Sequence, residues 1–501
     1  MSQTRDNHVD VLIIGAGISG IGAACHLTRD VPNRSYRILE RRERIGGTWD
    51  LFRYPGVRSD SDMYTFGFNF RAWKATQVLA DGTSIRDYVN ATADEYGVRE
   101  HIEFGRKVVR ADWSSATNRW TVEAEDEASG TTETWTCAFL IAGTGYYDYD
   151  NGYRPQFPGE ENYGGTLVHP QHWPADLDYA GKRVLVIGSG ATAVTLVPAM
   201  APQAAHVTML QRSPTYVVAL PAVDKISAAL QKVLPDGLVY RLARGRNIAI
   251  QRLLYAAARR RPKLVRKLVL AGVRRQLGPG ADLSNFTPKY DPWDQRLCVV
   301  PDGDLFAAIR EGRAEVVTDT IDTFTRTGVR TSGGRDLEAD IVVTATGLQV
   351  QLIGGAQLSV DGKPVPLNRA MTYKGVLVED LPNFAFIFGY TNASWTLKAD
   401  LAAEYVTRLL RHMDEHGYPT VTPRGSDDVR GTDSVLASLN SGYVRRGDAV
   451  LPRQGTSAPW RVLNNYLRDA PMLRRSAIED PALEFSRQHA QHADAPAAAQ
   501  A

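Results

Sequence analysis

Cysteine is scarce in this chain. There are three in 501 residues, Cys25, Cys137 and Cys298, and no CxxC pair. This excludes a disulfide framework, a zinc knuckle and a dithiol redox centre, and it points to a reducing compartment, here the cytoplasm. No run reaches the roughly 18 charge-free apolar residues of a membrane-spanning helix. The polar start, Met1 to His8, and the apolar run behind it read as the approach to a first strand rather than as a secretion signal. Net charge is nearly absent, at +2, and favours no partner. Basic residues are not interleaved with aromatics, so no nucleic acid is expected, and no metal site is assigned. What remains is 43% hydrophobic and 23% charged, a globular composition long enough for two or three domains at about 150 residues each.

Two glycine-rich loops stand out. Val9 to Ile14 is a short apolar run ending at Gly15-Ala16-Gly17-Ile18-Ser19-Gly20. It reads as a buried parallel strand feeding a tight turn, with Ile18 to Thr28 as the next helix and Tyr36 to Leu39 as the next strand. Glu40 ends that strand, twenty positions after Gly20, close to the ~20-residue interval of an acid that binds an adenosine ribose. Gly15 permits the turn, Gly17 lets backbone approach a pyrophosphate, and Gly20 lets helix and strand pack closely. The helix N-terminus supplies N–H groups to the phosphates. Gly46-Gly47-Thr48-Trp49 follows, then Arg53 to Asp62; two glycines let backbone approach a ring system on which Trp49 packs. Lys107 to Trp113 and Trp120 to Glu125 alternate as hairpin strands do, and Val108 is counted among the cofactor contacts. Phe139 to Ala142 reads as a strand returning to the first sheet.

The second loop is Gly188-Ser189-Gly190-Ala191-Thr192-Ala193, behind the strand Arg183 to Ile187. Ala193 stands at the third glycine position, which this pattern allows. The following strand, Val207 to Leu210, ends at Gln211-Arg212-Ser213 rather than at an acid. An arginine there pairs with a 2′-phosphate where an acid would repel it, which favours NADPH over NADH.

Between the loops lies Asn162 to Trp173. Its spacing Tyr163, Gly165, His169, Trp173 resembles the aromatic-x-Gly-x-x-x-His-x-x-x-Trp signature of Baeyer–Villiger monooxygenases, with Tyr163 where Phe is usual. Gly46 to Trp49 resembles the flavin-side motif of the same group, the class B flavoprotein monooxygenases. Ala345-Thr346-Gly347 and Phe386 to Trp395 resemble its later segments, and the likeness runs from residue 9 to about 480. The resemblance implies an α/β fold of two Rossmann-like dinucleotide-binding domains, for FAD and NADPH, with a helical insertion in the NADPH domain.

It also implies roles. Gly15, Gly17, Ser19, Gly20, Glu40, Gly47, Thr48, Trp49, Arg58, Ser59, Asp60 and Val108 would hold FAD; Gly188 to Ala193, Arg212 and Ser213 would hold NADPH. Many relatives carry Lys where this chain has Gln295, so the 2′-phosphate is left to Arg212 and Ser213. Arg296 is the active-site arginine, and Asp60 orients it. His169 acts as a hinge or support, not as a base. Asn392 and Trp395 border the substrate pocket. The implied reaction turns a ketone and O2 into an ester or lactone through a C4a-peroxyflavin, with oxygenation of thioethers or thioamides besides; the flavin does the chemistry and the protein orients and protects it.

The expected domains are 1–145 (FAD, first part), 146–221 (linker and NADPH, first part), 222–295 (basic insertion), 296–340 (NADPH, second part), 341–488 (FAD, second part) and 489–501 (a disordered tail). From Gly237 to Ala281 there are twelve Lys or Arg and no acid. That run reads either as a membrane-surface face, on the inner side of the cell membrane, or as a solvated insertion whose apolar side packs on the core. Other functions remain open: an N-hydroxylating monooxygenase, an uncoupled NADPH oxidase, or a membrane-surface scaffold with a vestigial flavin site. The missing cysteine pair disfavours a disulfide reductase.

Overall fold

The computed structural model describes residues 7–295, 297–390, 392–437 and 441–487; the tail from residue 489 lies outside them. The chain opens with β1 (His8–Ile14), α1 (Ile18–Asp30) and β2 (Tyr36–Glu40), the two strands parallel. Two one-turn helices follow, α2 (Thr48–Leu51) and α3 (Met63–Phe66), then α4 (Gly82–Glu95). β3 (Ile102–Phe104) extends the sheet beyond β2. β4 (Arg106–Ser114), β5 (Arg119–Asp126) and β6 (Thr132–Ala142) form an antiparallel meander, and β6 pairs in parallel with β1. Strand period two sorts the side chains of β1. Val11 and Ile13 face the core under α1, while Leu12 and Ile14 face a second core with Trp113 and Trp120.

β7 (Tyr147–Gly152) carries the chain to a second unit. There β8 (Thr166–Val168), β9 (Arg183–Ile187), α5 (Ala191–Met200) and β10 (His206–Gln211) are followed by β11 (Val217–Leu220). Three helices interrupt: α6 (Lys225–Leu230), α7 (Asp236–Arg260) and α8 (Pro262–Leu277). β12 (Cys298–Pro301) pairs with β11; then come α9 (Asp304–Arg310), β13 (Ala314–Thr318), a small meander of β14 (Ile321–Thr325), β15 (Gly328–Thr331) and β16 (Asp336–Glu338), and β17 (Ile341–Thr344). The second sheet is parallel throughout, in the order β13-β10-β9-β17-β8. One face packs on α5 and α9; the other is covered by the meander and by Phe157 and Tyr163.

The chain returns through β18 (Leu348–Val350), antiparallel to β7, so outward and homeward crossovers form one ribbon. β19 (Gln357–Val360) joins β4, with β20 (Lys363–Pro364) beside it. β21 (Thr372–Tyr373), β22 (Leu377–Val378) and β23 (Phe384–Phe386) lead back to β6. The long α10 (Trp395–His416) packs on α1. β24 (Thr420–Pro423), an outlying pair of β25 (Arg430–Ser434) and β26 (Arg453–Gly455), α11 (Gly442–Gly447), α12 (Tyr466–Arg475) and β27 (Leu483–Ser486) complete the chain.

Two expectations need correction. A boundary at 341 cuts off β17, which sits between β9 and β8 inside the second sheet. Four apolar residues look alike whichever sheet they join; only pairing decides. The insertion also does not belong to the second unit alone. Val273 of α8 packs in that unit's core, but Tyr240 and Ala243 of α7 lie in the first unit's core. Arg244 is buried there too, donating to the carbonyls of Tyr64 and Gly67.

Candidate active site

A cavity of about 310 Å³ opens between the two units, lined by residues of both. On the first side it is formed where β1 turns into α1. A Cβ on Gly20 would run into the Gly15 carbonyl oxygen, so no other residue allows this turn. The N-cap of α1 is Gly17, which offers no side-chain cap, so the first N–H groups of the helix are left to a ligand. Gly47, at φ +56°, brings its backbone against Gly17: a Cβ there would lie 2.9 Å from the Gly17 Cα. Gly15, Gly17, Ser19, Glu40, Gly47, Thr48, Trp49 and Val108 all line the cavity. Gly20 does not; it serves packing.

Glu40 is more constrained than its spacing implies. Its carboxylate accepts from the Ala16 N–H at 2.6 Å and the Arg42 N–H at 2.9 Å. Burial pushes its pKa up from the ordinary value, against the pull of those two N–H groups. Ser19 accepts from the Trp395 indole N–H at 2.8 Å, tying α1 to the start of α10.

Arg58, Ser59 and Asp60 line the cavity from the loop before α3. Arg58 donates to Asp304 at 2.6 Å, across to the N-terminus of α9 in the second unit. Ser59 closes a local turn with Ser61. Tyr54, whose hydroxyl burial pushes up to about 12, reaches Thr192 of the second loop. Arg296 lies outside the described residues.

The second loop repeats the first with a variation. A Cβ on Gly188, at φ +136°, would run into the Ala345 carbonyl oxygen. α5 starts at an N-cap glycine, Gly190, again with no side-chain cap. Ala191 and Thr192 line the cavity, and Ala193 is buried beneath them. Gly188, Ser189, Gly190, Arg212 and Ser213 do not line it. Arg212 and Ser213 are exposed just past β10, where the Ser213 carbonyl accepts from the Ser189 hydroxyl at 3.3 Å. Two uncapped helix N-termini reached by glycine backbones suit two pyrophosphates, so the donors present fit FAD on the first loop and NADPH on the second.

Sequence reasoning missed the tyrosines of the crossover. Tyr146 and Tyr149 line the cavity; Tyr146 stacks on Trp395 with centroids 5.4 Å apart, and burial pushes the Tyr149 hydroxyl up to about 12. No motif marks them, because they reach the cavity only through the β7–β18 ribbon. Of the two residues expected at a substrate pocket, Trp395 lines this cavity, whereas Asn392 does not and donates to the Asn464 carbonyl at 3.0 Å.

The signature segment sits behind that ribbon. Tyr163 donates to the Ala339 carbonyl at 3.0 Å under the small meander. The His169 ring covers Gly152 so closely that no Cβ fits there. Burial lowers its pKa, which favours the neutral ring, and it does not line the cavity. The three cysteines are buried, and burial pushes the Cys25 thiol up to about 12 and raises the Cys137 thiol as well. Neither of these two is a reactive thiolate.

Residues 12–231 match the family model described as pyridine nucleotide-disulphide oxidoreductase. The chain is 59% identical over 494 residues to the putative FAD-containing monooxygenase MymA of Mycobacterium tuberculosis (strain ATCC 25618 / H37Rv), covering 98% of this chain and 100% of that one. It is 53% identical to the FAD-containing monooxygenase EthA of the same strain, over 96% of this chain and 99% of that one. Its fold is similar to an NADP-bound steroid monooxygenase, with a TM-score of 0.75, 22% identity, and coverage of 96% and 100%. It is also similar to cyclohexanone monooxygenase bound to ε-caprolactone, with a TM-score of 0.73, 20% identity, and coverage of 96% and 100%.

Proposed function

The chain belongs to the FAD-containing monooxygenases, and on that footing we propose that it inserts one atom of O2 beside a ketone carbonyl at the expense of NADPH. The balance is ketone, O2, NADPH and H+ going to ester or lactone, NADP+ and water. Thioethers and thioamides are a second substrate class, taking the same oxygen atom at sulfur. The observation that carries the reading is a cavity lined by residues of both glycine-rich loops, Gly15 and Gly17 of the first and Ala191 and Thr192 of the second. The lactone held by a cyclohexanone monooxygenase of similar fold supports it.

Bound FAD supplies the redox step, taking a hydride from NADPH and activating O2. The protein's part is to hold and shield. The first turns of α1 and α5 bind the pyrophosphates. Gly15, Gly17, Gly47 and Val108 admit FAD closely, and Arg212 with Ser213 takes the 2′-phosphate. Trp49, Tyr146 and Trp395 wall the cavity against water. Arg296, with Asp60 to orient it, stabilises negative charge that develops on the reacting oxygen. A donor of that kind typically contributes about 10²–10³ in rate.

The test uses the FAD-loaded protein reduced anaerobically with NADPH, then mixed with ¹⁸O2 and a cyclic ketone. A lactone carrying one ¹⁸O per NADPH consumed is expected, and Arg296→Ala should keep flavin reduction while losing lactone. Hydrogen peroxide equal to the NADPH consumed, with no labelled lactone or sulfoxide, overturns the reading in favour of an oxidase.

A second reading concerns the insertion. No helix among the described residues is long and apolar enough to cross a membrane. Eleven of the thirteen exposed large apolar side chains among the described residues lie between Leu220 and Leu268. The buried side of α7 is occupied by Tyr240, Ala243 and Arg244, so its solvent side is the one that presents Leu238, Leu242 and Leu253. Exposed Arg259, Arg260, Arg261, Lys263 and Lys267 flank the α7–α8 turn. We propose that this face docks on an anionic membrane surface, at the inner side of the cell membrane. A second copy would bring like charges together. Leu253→Glu with Leu268→Glu should abolish co-sedimentation with phosphatidylglycerol vesicles, and salt should weaken it in the parent. A parent protein that stays in the supernatant at low salt sinks the idea.

A further inference from the structure

Away from the cavity, α10 ends in two histidines one turn apart, His412 and His416. That spacing puts both on one helix face. The fold returns the segment between α12 and β27 to the same place, so Glu479 Oε1 lies 3.4 Å from His412 Nε2. One donor atom from each of the three lies within 4.8 Å of the others. Ligands bound at 2.0–2.1 Å in a tetrahedron sit about 3.4 Å apart, so one edge of a coordination sphere is already drawn.

The two rings are held in place by their neighbours. The Nδ1–H of His416 donates to the His412 carbonyl at 2.9 Å. This leaves a lone pair on Nε2, and a ring N–H bonded to a carbonyl is the usual support of a metal-bound histidine. His412 Nε2 is buried without a hydrogen-bond partner. Tyr418 stacks on His416 with rings 10° apart, and Phe485 meets His412 edge-on at 5.6 Å. Two imidazoles and one carboxylate suit a borderline d-block ion, not Mg2+ or Ca2+.

We propose that His412, His416 and Glu479 bind one divalent d-block cation of the zinc type, with water completing the sphere. The ion clips the C-terminus of α10 to the segment that leads into β27. α10 spans 22 residues, so at 1.5 Å per residue the clip sits about 30 Å from Trp395 at the cavity. It acts on the stability of the first unit and not on the chemistry.

The test is titration of the untagged, FAD-loaded full chain with Zn2+ against a chromophoric chelator. Amide hydrogen exchange of residues 479–486 is measured beside it. The expected result is one ion per chain and slower exchange with Zn2+ but not with Mg2+. His416→Gln and Glu479→Gln, both at exposed positions, should each weaken binding at least tenfold, the lower end of what even a supporting contact is worth. His489→Gln with His492→Gln should leave it intact. Three results overturn the proposal: no saturable binding, binding that survives both ligand substitutions, or binding lost with the tail histidines.

Discussion

Arg212 is exposed behind β10 and does not line the cavity, so the role proposed for it is confined to binding a 2′-phosphate. Hydrogen bonds to charged groups are worth about 1.5–3 kcal/mol. Arg212→Ala should therefore cut the preference for NADPH over NADH by roughly ten- to hundredfold, read as kcat/KM for each nucleotide, with NADH little affected. A variant that keeps its preference moves the phosphate contact elsewhere. The glycines were legible at this scale because their constraint is local: Gly15 and Gly20 meet within one turn, and any sequence that makes that turn needs them. Tyr149 was not legible, since nothing within a few residues of it signals that it faces the cavity.

Among elements, α1, α7 and α10 meet over buried charge. His26 of α1 hydrogen-bonds to Asp30 at 3.3 Å and lies 3.7 Å from Asp400 of α10; Arg244 of α7 approaches the other Asp400 oxygen at 3.5 Å. Burial works against the charged ring, but the hydrogen bond to Asp30 and the nearby carboxylate of Asp400 outweigh it and raise the His26 pKa from 6.5 to about 9. A pKa raised on folding means that the charged ring stabilises the fold. That contribution is whole below pH 6.5 and is lost as the pH climbs through 9. Thermal unfolding temperature should thus fall between pH 6.5 and 9, and His26→Gln should flatten that dependence; an unchanged slope in the variant refutes it. The sequence showed α1 and its period but not this contact, because Arg244 and Asp400 are 156 positions apart.

At the scale of the molecule, the two large sheets are joined by the β7–β18 ribbon, and His169 packs on that ribbon. Its burial and low pKa suit a support rather than a proton carrier. His169→Ala should lower NADPH oxidation and product formation together, by up to about a hundredfold, the effect of a 1 Å misplacement. The pH profile of the rate should keep its shape; a profile that loses one limb would make His169 an acid or base.

The sequence by itself determined the two dinucleotide loops, the strands that lead into and out of them, the arginine at the end of β10 and the basic, leucine-rich insertion. All of these are written in short spans, where glycine sterics, strand period and helix termini act between near neighbours. Only the tertiary structure decided that β17 belongs to the second sheet, that α7 anchors in the first unit, and that His412 and His416 meet Glu479. Those outcomes depend on pairing and packing between residues tens to hundreds of positions apart. There the free energy lies in burial and charge complementarity across elements, which a pattern along the chain does not record.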